Sequence, residues 1–152
     1  MSFPYQTDYV NVSLDDTGTV AILHWKRAVT LEEFKNGYNR LAQLIHSTGV
    51  RRWMVNSFQR GPITKEAEEW LFSSFLRSFP KMLAQAHLLA LVMDDEFYQM
   101  TIHDYSLARA NSTSLPIAVN FFTDENEAMQ WIREEPLIDP ATLHKKPTEE
   151  HP

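Results

Sequence analysis

Val20-Ala21-Ile22-Leu23-His24-Trp25 is followed, after a short break, by Thr30-Leu31-Glu32-Glu33. These two phrases differ in period, and the switch decides the fold class. The first is a nearly continuous apolar run, the pattern of a strand buried on both faces. The second is a capping box, in which Thr30 and Glu33 each satisfy a free backbone N–H at a helix start. Beyond it Leu31, Phe34, Tyr38, Leu41, Leu44 and Ile45 recur on one helical face, and Gly49 supplies a stop. A buried strand feeding an amphipathic helix is the unit of an α/β sheet.

The same alternation continues in both directions. Upstream, Val10, Val12 and Leu14 alternate with polar residues, and Asp15-Asp16-Thr17-Gly18 has turn chemistry. That predicts a hairpin whose first strand is a half-exposed edge. Downstream, Arg52–Asn56 reads as a strand, and Arg60-Gly61-Pro62 as a turn. Thr64 then caps a second helix carrying Ala67, Trp70, Leu71 and Phe75, which Pro80 must end. Residues 87–93 read as a third buried strand. Asp94, Asp95 and Glu96 favour a helix start, with Phe97, Thr101, Tyr105 and Ala108 as its inner face. The polar stretch 111–114 breaks that helix. Ile117–Phe122 is the last strand, and Asp124 with Glu127 opens a last helix that carries Ala128, Trp131 and Ile132. The expected order is β-β-α-β-α-β-α-β-α, an α/β chain with a mixed sheet and right-handed crossovers between its later, parallel strands.

At 152 residues this is one domain, expected over 1–135, because no repeat or composition shift divides it. Residues 136–152 hold four Pro and no sustained apolar period, so a loosely packed or disordered tail is expected there. Cysteine is absent, which removes disulfides, thiolate nucleophiles and Cys-type zinc sites. The net charge of −6 argues against a nucleic-acid surface. The start lacks a basic region leading into an apolar stretch, and the longest apolar run, 88–93, is too short to span a bilayer. A cytoplasmic protein with no membrane partner is the expectation.

Three phrases carry a family resemblance. They are Gly61-Pro62-Ile63-Thr64-Lys65-Glu66-Ala67-Glu68-Glu69-Trp70-Leu71, then Leu88-Leu89-Ala90-Leu91-Val92-Met93, then Phe121-Phe122-Thr123-Asp124-Glu125-Asn126-Glu127-Ala128-Met129-Gln130-Trp131-Ile132. With the element order, they resemble the SpoIIAA-like branch of the STAS superfamily over roughly residues 9–134. The resemblance implies a βα superhelical fold without catalysis of its own. In the anti-sigma antagonists of that superfamily, a Ser after a strand is phosphorylated within Asp-Ser-Ser/Thr-Gly. Here that junction reads Asn56-Ser57-Phe58-Gln59. Ser57 falls on the modified position, but Asn56 replaces the Asp, Phe58 the next Ser or Thr, and Gly61 comes later. This chain is similar to the branch members that lack the motif.

The residues offer four candidate features. Ser57 is a possible phosphorylation site or a loop-shaping Ser. Open α/β sheets bind ligands beyond the carboxyl ends of their parallel strands. Lys26, Arg27, Asn56, Asp94, Asp95 and Asp124 fall there, with Ser57 and Thr123 beside them, as a possible ligand rim. Helix capping accounts for the Asp positions equally well. Trp70, Phe72, Phe75, Phe79 and Met82 spread beyond one stripe of the second helix, so Trp70, Phe72, Phe75 and Phe79 are a possible interface. The six His, at 24, 46, 87, 103, 144 and 151, form no catalytic or metal-binding motif. Neither a Gly-x-Ser-x-Gly elbow nor a Gly-rich phosphate loop occurs, and no cofactor is expected. A metal held by Asp94, Asp95 and Asp124 has no motif behind it.

Together these readings predict a non-catalytic, STAS-like binding or regulatory module. It would act by protein contact, as a homodimer or with a partner. The alternative is a carrier or sensor of an apolar or nucleotide small molecule. An enzyme would need the rim groups to converge.

Overall fold

Three strands open the chain in this computed structural model, which describes residues 5–76, 85–100 and 117–137. They are β1 (Tyr5–Gln6), β2 (Val10–Leu14) and β3 (Val20–Trp25), paired antiparallel. The turn between β2 and β3 is built by Asp15, whose carboxylate accepts from the backbone N–H groups of Thr19 and Val20 at 3.0 and 3.1 Å. Register follows, with Val10 opposite Trp25 and Val12 opposite Leu23. The expectation that β2 is an edge strand is corrected, because β1 pairs with its outer side. A two-residue strand is too short to leave an alternation in the sequence.

From β3 onward the sheet is parallel. α1 (Leu31–Thr48) leads to β4 (Arg52–Asn56), and α2 (Lys65–Glu69), continued by a π-helical turn Trp70–Phe75, precedes β5 (His87–Val92). α3 begins at residues 95–100, then come β6 (Ile117–Phe122) and α4 (Glu125–Glu134). The six strands lie in chain order, β1-β2-β3-β4-β5-β6. Each crossover therefore steps in the same direction, and with one hand it must pass over the same face.

Packing agrees. On that face Leu23, Trp25, Trp53, Val55, Leu89 and Leu91 meet Phe34, Tyr38 and Leu41 of α1, Leu71, Phe72 and Phe75 after α2, and Phe97 of α3. The opposite residues, Val20, Met54, Leu88, Ala90 and Val92, are covered by Ala128 and Ile132 of α4. Both predicted caps place their helices as expected, the first as a full capping box and the second as a single N-cap bond. Thr30 accepts from Glu33 N and Glu33 accepts from Thr30 N, while Asp124 accepts from Glu127 N at 3.0 Å. Pro80, residues 111–114, the far end of α3 and the tail from 138 lie outside the described residues. So does Phe79. Among the described residues, no helix is long and apolar enough to cross a membrane.

Candidate functional site

The loop after β4 builds the site. Ser57 leaves the strand with its N–H and its Oγ–H both donating to the Val92 carbonyl of β5, at 2.8 and 2.7 Å. The Phe58 N–H is held by the Asn56 carboxamide, and the His24 ring meets the Gln59 carboxamide at 3.0 Å. The chain then turns tightly, with the N–H groups of Arg60 and Gly61 both donating to Ser57 O. Gly61 takes φ +79°, a conformation that a side chain would strain. This turn sends Phe58 outward, at 51% exposed, and Arg60 inward, at 8%.

Arg60 is the unusual residue. Its guanidinium lies 5.6 Å from the Trp25 ring centre and 5.3 Å from that of Phe34, beside Tyr38. Nε donates to Gly61 O at 3.2 Å. No carboxylate of the described residues lies within ion-pair distance. Burial disfavours its charge and, to a lesser degree, the Tyr38 hydroxyl restores it. The same burial raises the Tyr38 phenol above its ordinary range. Magnitudes matter here. Desolvating an ion costs several kcal/mol. A desolvated cation–π contact returns about 2 kcal/mol. The rings alone do not comfortably compensate the charge.

Arg60 lines a pocket of about 30 Å³ at the carboxyl ends of β4 and β5, partly open to solvent. Its polar lining is Arg60, Ser57, Tyr38 and Glu68, and its walls are Ile63, Leu71, Phe72, Leu91, Met93 and Phe97. Parallel sheets present ligands at this end of their strands. No family model, curated protein or solved structure matches this chain. What the site does must be argued from its own chemistry.

The predicted rim does not converge on this pocket. Lys26 donates from Nζ to Thr7 O at 2.7 Å, and Arg27 pairs with Asp8 and Glu33 at 3.2 and 3.1 Å. Asp94 accepts from Phe97 N at 2.7 Å and Asp124 caps α4, while Asp95 is exposed. Asn56 is buried and bonded within its own loop. No three metal-binding side chains come together among the described residues. Ser57 does line the pocket, but it is 1% exposed and its hydroxyl is engaged.

The aromatic residues of the second helix are largely taken up by the chain itself. Phe72 and Phe75 are buried in the core, and the Trp70 ring packs on Phe34, Tyr38 and Phe75. Phe72 looked misplaced on a wheel of ordinary helical pitch. Within the π-helical turn Trp70–Phe75, Leu71, Phe72 and Phe75 are all buried, so Phe72 faces the core with its neighbours.

Arg60 and Glu68 were invisible as site residues in the sequence. A basic residue in an Arg-Gly-Pro turn reads as solvated, and Glu68 reads as a helix-surface acid. The available signal was Gly61: a turn needing positive φ immediately after Arg60 limits where the Arg side chain can go.

Proposed function

We propose that this chain is a non-catalytic, STAS-like binding module that holds a small molecule at the carboxyl ends of β4 and β5. One observation carries the reading: a buried arginine without a carboxylate partner among the described residues faces a pocket whose walls are otherwise mainly apolar. Small-molecule sites are usually concave and mostly apolar with a few converging polar groups, but about 300–1,000 Å³ in volume, so a pocket of about 30 Å³ would take in only a small group of a ligand lying across its open side. The repeated strand–helix units after β3, with the six strands in chain order, support the STAS-like part. The absence of catalysis is supported by what the rim groups do. Lys26, Arg27, Ser57, Asp94 and Asp124 all make bonds that hold the fold.

Protein contact is the second reading, and Phe58 favours it. This ring is 51% exposed on the loop that also carries Arg60. A ligand at Arg60 would bear on the same turn, so occupancy and partner docking would be linked.

A methyl and side-chain N–H spectrum of the full chain, recorded against a library of small neutral and charged compounds, tests the main reading. Binding is expected to move the Leu71, Leu91 and Met93 methyl signals together. A library in which no compound moves them excludes the small-molecule reading.

A further inference from the structure

We propose that the turn Phe58–Arg60 is a two-state switch, in which Arg60 swings out to solvent and the Phe58 ring takes its place beside Trp25 and Phe34. This goes beyond the small-molecule reading above, since the exchange needs no ligand.

The turn holds two side chains against their chemistry. Phe58 is the one exposed aromatic ring among the described residues, and Arg60, two positions on, is the one buried arginine or lysine. A phenyl in solvent forgoes the gain of burial. A buried guanidinium bears the desolvation of its charge, and no carboxylate of the described residues pairs with it. Turning the segment over relieves both at once, which brings the two arrangements close in free energy. A small set of contacts holds the present one. The guanidinium donates to Gly61 O and the Tyr38 hydroxyl and lies against the Trp25 and Phe34 rings. Those rings are an apolar seat that also suits a phenyl.

The two ends of the turn suit this motion. Ser57 is fixed, with its N–H and its hydroxyl both on Val92 O. Gly61 takes φ +79° and has open space where a Cβ would stand, so its dihedrals change at little steric cost. Between these ends few bonds need to be exchanged: Phe58 N–H to the Asn56 carboxamide, Gln59 to His24, and the two N–H groups on Ser57 O. The switch reverses what the loop presents, a ring in one state and a cation in the other. A partner that docks on the Phe58 ring selects one state.

Phenylglyoxal modifies arginine where the guanidinium meets solvent. Its reaction with Arg60 in the full chain, followed by peptide mass spectrometry, gives the exposed fraction against the rate of free arginine. Hydrogen exchange at the Met54 and Val55 amides of β4 gives the fraction opened by global unfolding. The exposed fraction of Arg60 is expected to exceed the globally opened fraction by about tenfold or more, as a local opening requires. Equal fractions overturn the switch, because Arg60 is then released only when the whole chain unfolds. Phe58→Ser removes the ring that fills the seat and should lower the exposed fraction about tenfold, whereas Phe58→Leu should keep it near the wild-type value. Position 58 is exposed, so both variants retain the fold. If Arg60 reacts in Phe58→Ser as it does in the wild type, the two residues move independently and the swap is overturned. Neither failure touches the small-molecule reading, which its own library titration decides.

Discussion

Gly37 stands where Trp25 requires the α1 backbone to be bare. A Cβ at position 37 would lie 2.5 Å from the tip of the Trp25 indole, with two more ring atoms at 3.1 and 3.2 Å. The ring has nowhere to go. It stacks on Phe34 at 5.6 Å with only 7° between planes, and the tilted Tyr38 ring packs against it at 5.8 Å. Gly37→Ala therefore sets two effects against each other. Alanine gains about 1 kcal/mol of helix propensity. Overpacking a fixed core ring costs about 1–3 kcal/mol. The clash wins, and a urea melt should show a net loss of about 1–2 kcal/mol. A stabilised variant would mean that Trp25 is free to shift. The helical face of α1 was legible in the sequence from Phe34, Tyr38 and Leu41, but the need for glycine between them was not. It arises from a residue twelve positions upstream, through a contact that no periodicity encodes. Arg60 is the same kind of case, since its burial depends on rings brought from β3 and α1.

At the scale of elements, the local signals were reliable and the long-range ones were absent. Thr30 with Glu33 and Asp124 with Glu127 are written within four residues, so both starts could be read directly. The strand Arg52–Asn56 has the expected bounds. β1 and the π-helical turn could not be read, the first because it is too short and the second because its pitch differs from the one the reading assumes. Another long-range feature is the attachment of α4. Arg52 Nη1, from β4, donates to Ile132 O at 2.7 Å and Glu135 O at 2.8 Å. These carbonyls belong to the last turn of α4 and the residue after it, where acceptors lack intrahelical donors and a cation is favoured. At the other edge Arg133 reaches Asp15 and Asp16 at 3.0 and 3.2 Å. Arg52→Met keeps the buried stem and removes the donors, and should cost about 2 kcal/mol. Hydrogen exchange gives the local readout: amides of α4 should exchange faster while those of α1 stay unchanged. Thr30→Ala should do the reverse, at about 1 kcal/mol. Uniform acceleration across both helices in either variant would contradict this division.

For the whole molecule, pH is the variable that separates the native from the unfolded chain, and His87 dominates it near neutrality. His87 is 2% exposed, and its Nδ1 accepts from the Trp53 indole N–H at 3.0 Å. Protonating Nδ1 would set two donors against each other. Burial first, and the nearby Arg51 charge second, lower its pKa from 6.5 to about 4. Between these values the unfolded chain binds a proton that the native chain refuses. Stability is therefore full above about pH 6.5 and falls as the pH drops to about 4. The complete shift corresponds to roughly 3 kcal/mol. Further acid acts through Asp15. Burial alone would raise its carboxyl, but the Thr17 hydroxyl, the Val20 N–H, Arg133 and the Thr19 N–H hold it below the usual range. Its contribution is lost only below about pH 4, after that of His87. Denaturant midpoints of the full chain should thus decline steadily from pH 7 to pH 4.5. In His87→Asn, whose carboxamide oxygen can still accept from Trp53, absolute stability falls but the decline over that interval should largely vanish. A variant that keeps the wild-type slope would place the acid sensitivity elsewhere in the molecule. His87→Asn combined with Trp53→Phe adds a check on the coupling. If the indole N–H is what selects the neutral ring, Trp53→Phe alone should already reduce the slope, and the double variant should reduce it no further than His87→Asn does.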